Sequence, residues 1–244
     1  MRDQRFFFVH MMKTAGTALR YRLINHFGAE AVYPAHVLDG TGKDFVQGVL
    51  SVKYLTERLA ERGDQIRVIT GHFPLCTADL FGERFTTFTL LREPVERTLS
   101  FLRDRREHEP AYRDKPLEDI YDDPFWFNAF AHNHMTKMLS LTVPEMRDGM
   151  FTHVSFSPRH VERAKEALTR MEAVGLQERY EEFCGELSAR FGWNLGEPQI
   201  VNSSEPVEVS DVFRERIAED NALDLELYEF ARAHVGGRVA GAAQ

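Results

Sequence analysis

The sequence has only two cysteines, Cys76 and Cys184, in a chain of 244 residues. They lie far apart and outside any CxxC spacing, so neither a disulfide framework nor a thiolate zinc site is expected. Long apolar runs are equally scarce. The run from Phe6 to Val9 is far shorter than a signal-peptide core or a membrane span, and Asp3 precedes it where a signal peptide would be basic. The sequence therefore predicts a cytoplasmic protein without a membrane span.

The chain also lacks a positive net charge, an internal repeat and a long linker rich in proline, glycine and serine. Its 30 Lys and Arg residues against 38 Asp and Glu give a net charge of -8 at pH 7. This charge disfavours nucleic acid polymers, anionic lipid and long polyanions as partners, although a local basic pocket can still bind a phosphorylated small molecule. With 43% hydrophobic residues and no linker, residues 1–244 are expected to form one domain.

Apolar periodicity predicts an α/β fold. Short, continuous apolar runs predict buried parallel strands, with the last of them the weakest: Arg5–Val9, Ile66–Thr70, Thr86–Leu91 and Ala173–Leu176. Amphipathic helices are predicted over Thr17–Phe27, Val52–Arg62, Val95–Arg106, Arg179–Phe191 and Ser210–His234, with another beginning at Pro158 behind Ser157. These elements predict a central parallel sheet flanked by helices, with a mainly helical C-terminal half. Ligands of such folds bind at the carboxyl ends of the strands.

The turn that follows the first predicted strand is a candidate anion site. A strand that turns directly into a helix aims several backbone N–H groups at one point, next to the positive end of the helix dipole. Lysine adds a charge here, glycine allows close approach, and threonines add hydroxyl donors. The candidate residues are Lys13, Thr14, Ala15, Gly16, Thr17 and Ala18. In the alternative interpretation, Thr14 only caps the helix and Lys13 is solvated.

A second candidate site follows the strand Thr86–Leu91. Arg92 ends this strand, Pro94 suits the first turn of a helix, and Ser100 lies six residues further along. Arginine provides a permanently charged fork for phosphate, and a helix serine provides a directional donor, so the two are predicted to bind one ligand. The alternative is a strand-ending arginine that pairs with Glu93 or Glu96.

His72 is the candidate general base. The segment Thr70-Gly71-His72 lies at the end of the strand predicted at Ile66–Thr70, so His72 is expected at the same carboxyl edge as the two anion sites. Histidine can accept a hydroxyl proton near neutral pH. The alternative is a core histidine bonded to a carbonyl group.

Both anion segments resemble those of sulfotransferases that use 3'-phosphoadenosine 5'-phosphosulfate (PAPS). Residues 13–17, KTAGT, are similar to the 5'-phosphosulfate loop, P-K-T-[AG]-[GST]-[ST], with Met12 in place of the usual proline. Residues 91–100 match every defined position of the 3'-phosphate element, L-R-[DE]-P-[VY]-x-R-x-x-S. The Gly-His pair at residues 71–72 looks like the catalytic segment of the carbohydrate-modifying, heparan-sulfate-type branch. Segments near residues 174–180 and 221–228 also look like this family, so the resemblance covers most of the chain.

The resemblance implies a P-loop-like three-layer α/β fold and transfer of a sulfuryl group from PAPS to a hydroxyl of a carbohydrate or small molecule. His72 would be the base, and Lys13 would stabilise the departing oxygen. Arg92, Ser100 and residues 13–18 would bind the nucleotide. No metal is expected. Secondary candidates are Asn133, Lys137, the loop Asn202–Ser204, an aromatic platform at Phe125–Phe127, and acceptor loops at residues 34–50 and 107–130.

Several alternatives stay open or are disfavoured. A nucleotide kinase is disfavoured because the Walker pattern places lysine after the loop glycines, whereas Lys13 precedes Gly16. A module that binds PAPS or its product without turnover is the other alternative. His132 and His134 have no evident third ligand, so a metal pair is not expected. The basic residues Arg103, Arg105 and Arg106 are interpreted as a solvated helix end. The sequence leaves the acceptor and the oligomeric state open.

Overall fold

The fold is built around a parallel sheet, and it is seen in a computed structural model that describes residues 4–35, 43–82, 85–197 and 209–241. Within these residues the sheet has five strands, all parallel, in the order β2-β3-β1-β4-β5. The strands are β1 (Phe6–Val9), β2 (Val32–Tyr33), β3 (Val68–Ile69), β4 (Thr86–Leu91) and β5 (Ala173–Leu176). The prediction of an α/β fold with a parallel sheet is therefore confirmed.

Helices cover both faces of the sheet. The α-helices are α1 (Gly16–Phe27), α2 (Lys43–Leu50), α3 (Val52–Arg62), α4 (Pro94–His108), α5 (Leu117–Tyr121), α6 (Pro124–Trp126), α7 (His134–Ser140), α8 (Pro158–Arg170), α9 (Tyr180–Phe191), α10 (Asp211–Asp220) and α11 (Ala222–Gly241). A π-helical turn, Phe127–Ala131, follows α6 directly. Short 3₁₀ helices lie at Ala29–Ala31, Leu75–Phe81, Pro110–Tyr112, Gly149–Phe151 and Gln177–Arg179.

The alternation of side chains along β1 explains the two layers of helices. Phe6 and Phe8 point to one face, where they pack with residues of α1 and α9. Phe7 and Val9 point to the other face, where they pack with residues of α3, α4, α7, α8, α10 and α11. Because successive residues of a strand point to opposite faces, a strand covered on both faces must be apolar throughout. This is why β1 is a continuous apolar run and not an alternating one.

Several predicted boundaries need correction. The strands predicted at Arg5–Val9 and Ile66–Thr70 are shorter, at Phe6–Val9 and Val68–Ile69, whereas β4, β5 and α3 have the predicted limits. The predicted helix at Ser210–His234 is two helices, α10 and α11, separated at Asn221. The predicted acceptor loops are also partly helical, because α2 ends the first, and α5, α6 and the π-helical turn occupy about half of the second.

Capping residues fix where the helices begin. Glu93 caps α4, since its side chain accepts a hydrogen bond from the Glu96 N–H at 2.7 Å, and Pro94 takes the first turn. Ser157 and His160 form a capping box at the start of α8. The Glu93 cap holds the start of α4 beside the carboxyl end of β4, where Arg92 lies.

The order of the strands creates a crevice between β1 and β4. The chain leaves β1 toward β3 and β2 on one side of the sheet, and it leaves β4 toward β5 on the other side. The connections therefore diverge above two neighbouring strands, and ligands of open α/β sheets bind in the crevice that such a divergence opens. In the part of the chain that is described, no helix is long and apolar enough to cross a membrane.

Candidate functional site

The loop between β1 and α1 has the shape of an anion-binding nest. Lys13 and Ala15 both have left-handed backbone angles, with φ of 67° and 65°, and Ala15 is the N-cap residue of α1. Alternating backbone angles of this kind turn successive N–H groups toward one concave surface. The first N–H groups of α1 have no partner within the helix, so they are directed to the same place.

The backbone of this loop is strained, because residues with a side chain occupy its left-handed positions. A left-handed backbone costs a residue with a side chain roughly 1–2 kcal/mol, and neither Lys13 nor Ala15 is glycine. Gly16, in contrast, is required by packing, because a Cβ atom at this position would lie 2.0 Å from Cδ2 of His10. The ring of His10 and the first residue of α1 therefore hold the loop in one shape.

Arg92 joins the loop from the end of β4. Its Nη1 donates a hydrogen bond to the Lys13 carbonyl oxygen at 3.1 Å. The alternative partners are engaged elsewhere, since Glu93 caps α4 and Glu96 pairs with Arg214 at 2.6 Å. Within the described ranges, no carboxylate pairs with Arg92. Its positive charge is therefore available at the edge of the sheet.

One cavity of about 250 Å³ collects the predicted site residues. Of the predicted residues, Lys13, Ala15, Gly16, Thr17, Ala18, His72, Arg92 and Ser100 line it, and His10, Met12, Asp104 and Gln177 complete the lining. Thr14 is the exception: its side chain is buried, and its hydroxyl donates to the Met11 carbonyl oxygen at 2.9 Å. Thr14 therefore stabilises the turn, and the sequence-based expectation of a second hydroxyl facing the ligand does not hold in this geometry.

His72 is held by the backbone of its neighbour in the cavity. Its Nδ1 lies 2.7 Å from the His10 carbonyl oxygen. A carbonyl oxygen can only accept a hydrogen bond, so Nδ1 carries the proton and Nε2 keeps a free lone pair. Burial lowers the pKa of His72 to about 4, and the nearby Arg20 charge also lowers it. The hydrogen bond to His10 raises the pKa but does not outweigh burial. His72 is therefore a neutral proton acceptor at neutral pH.

The His10 side chain packs against His72 and helps to hold it in position. Its ring is buried, packs against the ring of His72 with centroids 4.3 Å apart, and stacks on Phe8. Its Nδ1 lies 2.9 Å from the Thr70 carbonyl oxygen. Burial, and then the neighbouring His72, lower the pKa of His10 well below its ordinary value. The two histidines thus connect the ends of β1 and β3 while both stay neutral.

The free energy of unfolding is expected to fall as the pH is lowered from 6.5 to 5. Both histidines have a lowered pKa in the folded chain, whereas in the unfolded chain they take up protons near the usual pKa of about 6.5. The unfolded state then binds more protons than the folded state, so stability must rise with pH in this window. Urea unfolding at several pH values measures the slope.

A variant separates the histidine contribution from that of other groups. His72→Gln should flatten the slope, while His153→Gln should leave it unchanged, because the His153 side chain is exposed. Equal slopes for the wild type and His72→Gln would contradict the prediction.

Asp104 is the charged lining residue that the sequence interpretation missed. Its Oδ1 pairs with the Lys13 Nζ at 2.9 Å, and its Oδ2 pairs with Arg105 Nη2 at 2.6 Å. Burial raises the pKa of the Asp104 carboxyl, but the hydrogen bonds from Arg105 and Lys13 outweigh burial and lower it overall. Asp104 lies four residues after Ser100, so the two share one face of α4. This four-residue spacing is the sequence feature from which Asp104 could have been predicted to line the site. Arg105 is accordingly not a solvated residue, because its side chain is only 22% exposed.

The secondary candidates lie outside the cavity lining. Asn133 accepts hydrogen bonds at its Oδ1 from the backbone N–H groups of Leu223 and Asp224. Asp224 in turn accepts from the N–H groups of Met135 and Thr136. The starts of α7 and α11 thus cap each other. The predicted loop Asn202–Ser204 lies outside the described residues.

Other polar and aromatic candidates also take packing positions. Lys137 donates from Nζ to the carbonyl oxygens of Asn128 and Ala129, at 2.9 and 2.8 Å. His134 is fully buried in α7, while the His132 ring stacks on Phe127. Over the described ranges, no group of three His, Cys, Asp or Glu residues is placed to hold a metal ion. Of the predicted aromatic platform, Phe125 is 54% exposed, and the two residues after it pack against the core.

Comparison with known proteins adds no relative. No protein-family model matches this chain, and no curated protein matches it. The functional assignment therefore depends on the residues that gather at the cavity between β1 and β4.

Proposed function

We propose that this protein is a PAPS-dependent sulfotransferase that transfers a sulfuryl group to a hydroxyl of a carbohydrate or small molecule. One observation carries the proposal. The strained loop with Lys13, the Arg92 and Ser100 pair, and the neutral His72 all line one cavity. This cavity lies where the connections from β1 and β4 diverge. The strand order, with an anion loop after the central strand, also supports a P-loop-like version of the α/β fold.

The charged end of the nucleotide fits the donor set of the cavity. The N–H groups of the loop and the Lys13 amine suit the 5'-phosphosulfate, while the Arg92 fork and the Ser100 hydroxyl suit the 3'-phosphate. The cavity volume of about 250 Å³ is below the roughly 300–1,000 Å³ of pockets that enclose drug-sized ligands. We therefore assign the cavity to the phosphate and sulfate groups, with the rest of the nucleotide extending beyond it.

The residues then have complementary roles in an in-line displacement. The His72 Nε2 accepts the proton of the acceptor hydroxyl as that oxygen bonds to sulfur. Lys13 stabilises the negative charge on the phosphate oxygen that leaves as the sulfur–oxygen bond breaks. The products are the sulfate ester, 3'-phosphoadenosine 5'-phosphate (PAP), and a protonated His72. Loop N–H groups and Arg92 hold the nucleotide so that the acceptor approaches opposite the leaving oxygen.

Calorimetric titration with PAP in the absence of magnesium tests the donor assignment. The wild type should bind PAP with micromolar affinity and ATP much more weakly. Lys13→Ala and Arg92→Ala should each weaken PAP binding by about 10- to 100-fold, because each removes a hydrogen bond to a charged phosphate. Lys53→Ala and Arg113→Ala are matched controls: the Lys53 side chain is 88% exposed and Arg113 is also exposed.

The other outcomes favour other functions. Absence of PAP binding, or equal affinity for ATP with magnesium, would overturn the donor assignment and favour a nucleotide kinase. PAP binding without transfer to any hydroxyl compound in a screen of glycosides, phenols and alcohols would favour a binding module. Binding together with product formation in that screen would identify the acceptor class.

A further inference from the structure

Asp104 is an acidic residue in a cavity whose other charged residues are cations. It lines the cavity together with Lys13 and Arg92, and its side chain is 23% exposed. Its lowered pKa keeps the carboxylate charged at neutral pH. A carboxylate beside an anion site repels the ligand, so its presence there needs a physical explanation.

The contacts of Asp104 supply that explanation. One carboxylate oxygen contacts the Lys13 amine at 2.9 Å, and the other contacts Arg105 at 2.6 Å. The positive charge of Lys13 is therefore balanced by an anion of the protein itself. Arg105 itself is fixed, because its guanidinium also lies 5.5 Å from the centre of the Trp126 ring and pairs with Glu109 at 3.4 Å. If the Lys13 amine leaves Asp104 to bind a ligand, Arg105 still balances the negative charge of the Asp104 carboxylate.

We propose that Asp104 is a positioning residue whose carboxylate binds the Lys13 amine where the anion of the ligand would bind it. Asp104 must release Lys13 when the ligand binds. The proposal rests on the proposed function for the identity of that ligand. A ligand that contacts Lys13 alone has to compete with Asp104 for one amine. A ligand that also contacts Arg92 and Ser100 gains further hydrogen bonds that offset this competition. Asp104 thus weakens the binding of small anions that contact Lys13 alone.

The test is the affinity of Asp104→Asn for PAP, measured by calorimetry without magnesium. Removing the competing carboxylate should tighten PAP binding by about tenfold, the size expected of one charge interaction in a partly screened site. Glu107→Gln is the matched control, because it removes the same charge from an exposed position on the same helix. Its affinity should stay within about twofold of the wild type.

A double variant distinguishes competition for Lys13 from general repulsion. In a Lys13→Ala background, Asp104→Asn should tighten binding by less than about twofold, because there is no amine left to release. An undiminished gain in that background would overturn the proposal, as would an unchanged or weaker affinity of the single variant. Asp104→Glu should restore affinity close to that of the wild type, which a loss of folding would not. Asp104→Ser provides a second test if Asp104→Asn is unstable.

Inorganic pyrophosphate separates this proposal from the donor assignment. If neither the wild type nor Asp104→Asn binds PAP, the proposed function is wrong. Pyrophosphate should then still bind Asp104→Asn more tightly than the wild type if Asp104 competes for Lys13. Equal or absent pyrophosphate binding in both proteins would overturn the role of Asp104.

Discussion

Replacing His72 with alanine is expected to lower turnover by about 100- to 10,000-fold, the range that positioned general bases contribute, while PAP affinity stays within about threefold. His72 lines the cavity, and its Nδ1 bond to the His10 carbonyl leaves Nε2 as the proton acceptor. That hydrogen bond goes to His10 and not to residues 13–18, the loop that is assigned to the phosphosulfate. Loss of the ring should therefore affect proton transfer and not nucleotide binding.

The measurement is the rate of sulfate-ester formation with the best acceptor found for the wild type, alongside PAP titration. His153→Ala is the matched control, since it removes an exposed histidine that does not line the cavity. A His72→Ala variant with turnover within threefold of the wild type would remove His72 from the base role. A parallel loss of PAP binding would instead assign His72 to the nucleotide site.

The main strands and helices could be predicted because their signals are local. β4, β5 and α3 have the limits that were read from apolar periodicity, and in each case the pattern is complete within about twelve residues. β2 was missed because its two residues are not part of a longer apolar run, as those of β3 are, and its strand character comes from pairing with β3. A strand that depends on a partner over thirty residues away leaves no periodic pattern of its own.

The site was predictable to the same extent. Lys13, Arg92, Ser100 and His72 each follow a recognisable strand, and the topology of a parallel sheet brings such positions to one edge. The pairing of Lys13 with Asp104 joins residues 91 positions apart. The spacing from Ser100 indicates the face of α4 on which Asp104 lies, but it does not indicate which side chain Asp104 contacts. The same limitation applies to Arg97, which the 3'-phosphate pattern includes but the structure buries completely.

Arg97 has a structural role, although its position between Arg92 and Ser100 in the sequence suggests a role in binding phosphate. Its Nη2 donates to the carbonyl oxygens of Phe130 and Ala131, at 2.8 and 3.1 Å. These carbonyls end the π-helical turn, and Lys137 contacts the two before them. The negative end of a helical segment stabilises a cation. Burial lowers the pKa of Arg97 to about 10, although the nearby Asp224 raises it, and Arg97 stays charged at neutral pH.

Arg97→Met is expected to lower the free energy of unfolding by about 1–3 kcal/mol, the usual cost of leaving a buried acceptor without its donor. The substitution keeps most of the side-chain volume, so the loss reports the hydrogen bonds to residues 130 and 131 and the desolvation of their carbonyl groups. Because small domains unfold with only about 5–15 kcal/mol in total, this is a large share of the stability.

Urea unfolding of Arg97→Met measures this loss, and Arg170→Met is the matched control, because Arg170 is exposed at the end of α8 and should change stability by less than about 0.5 kcal/mol. A loss below about 1 kcal/mol for Arg97→Met would contradict the structural role. The expected loss would mean that Arg97 fixes the rotation of α4 against the π-helical turn. That rotation is what directs Ser100 and Asp104 into the cavity, so the buried arginine and the two lining residues depend on one helix orientation.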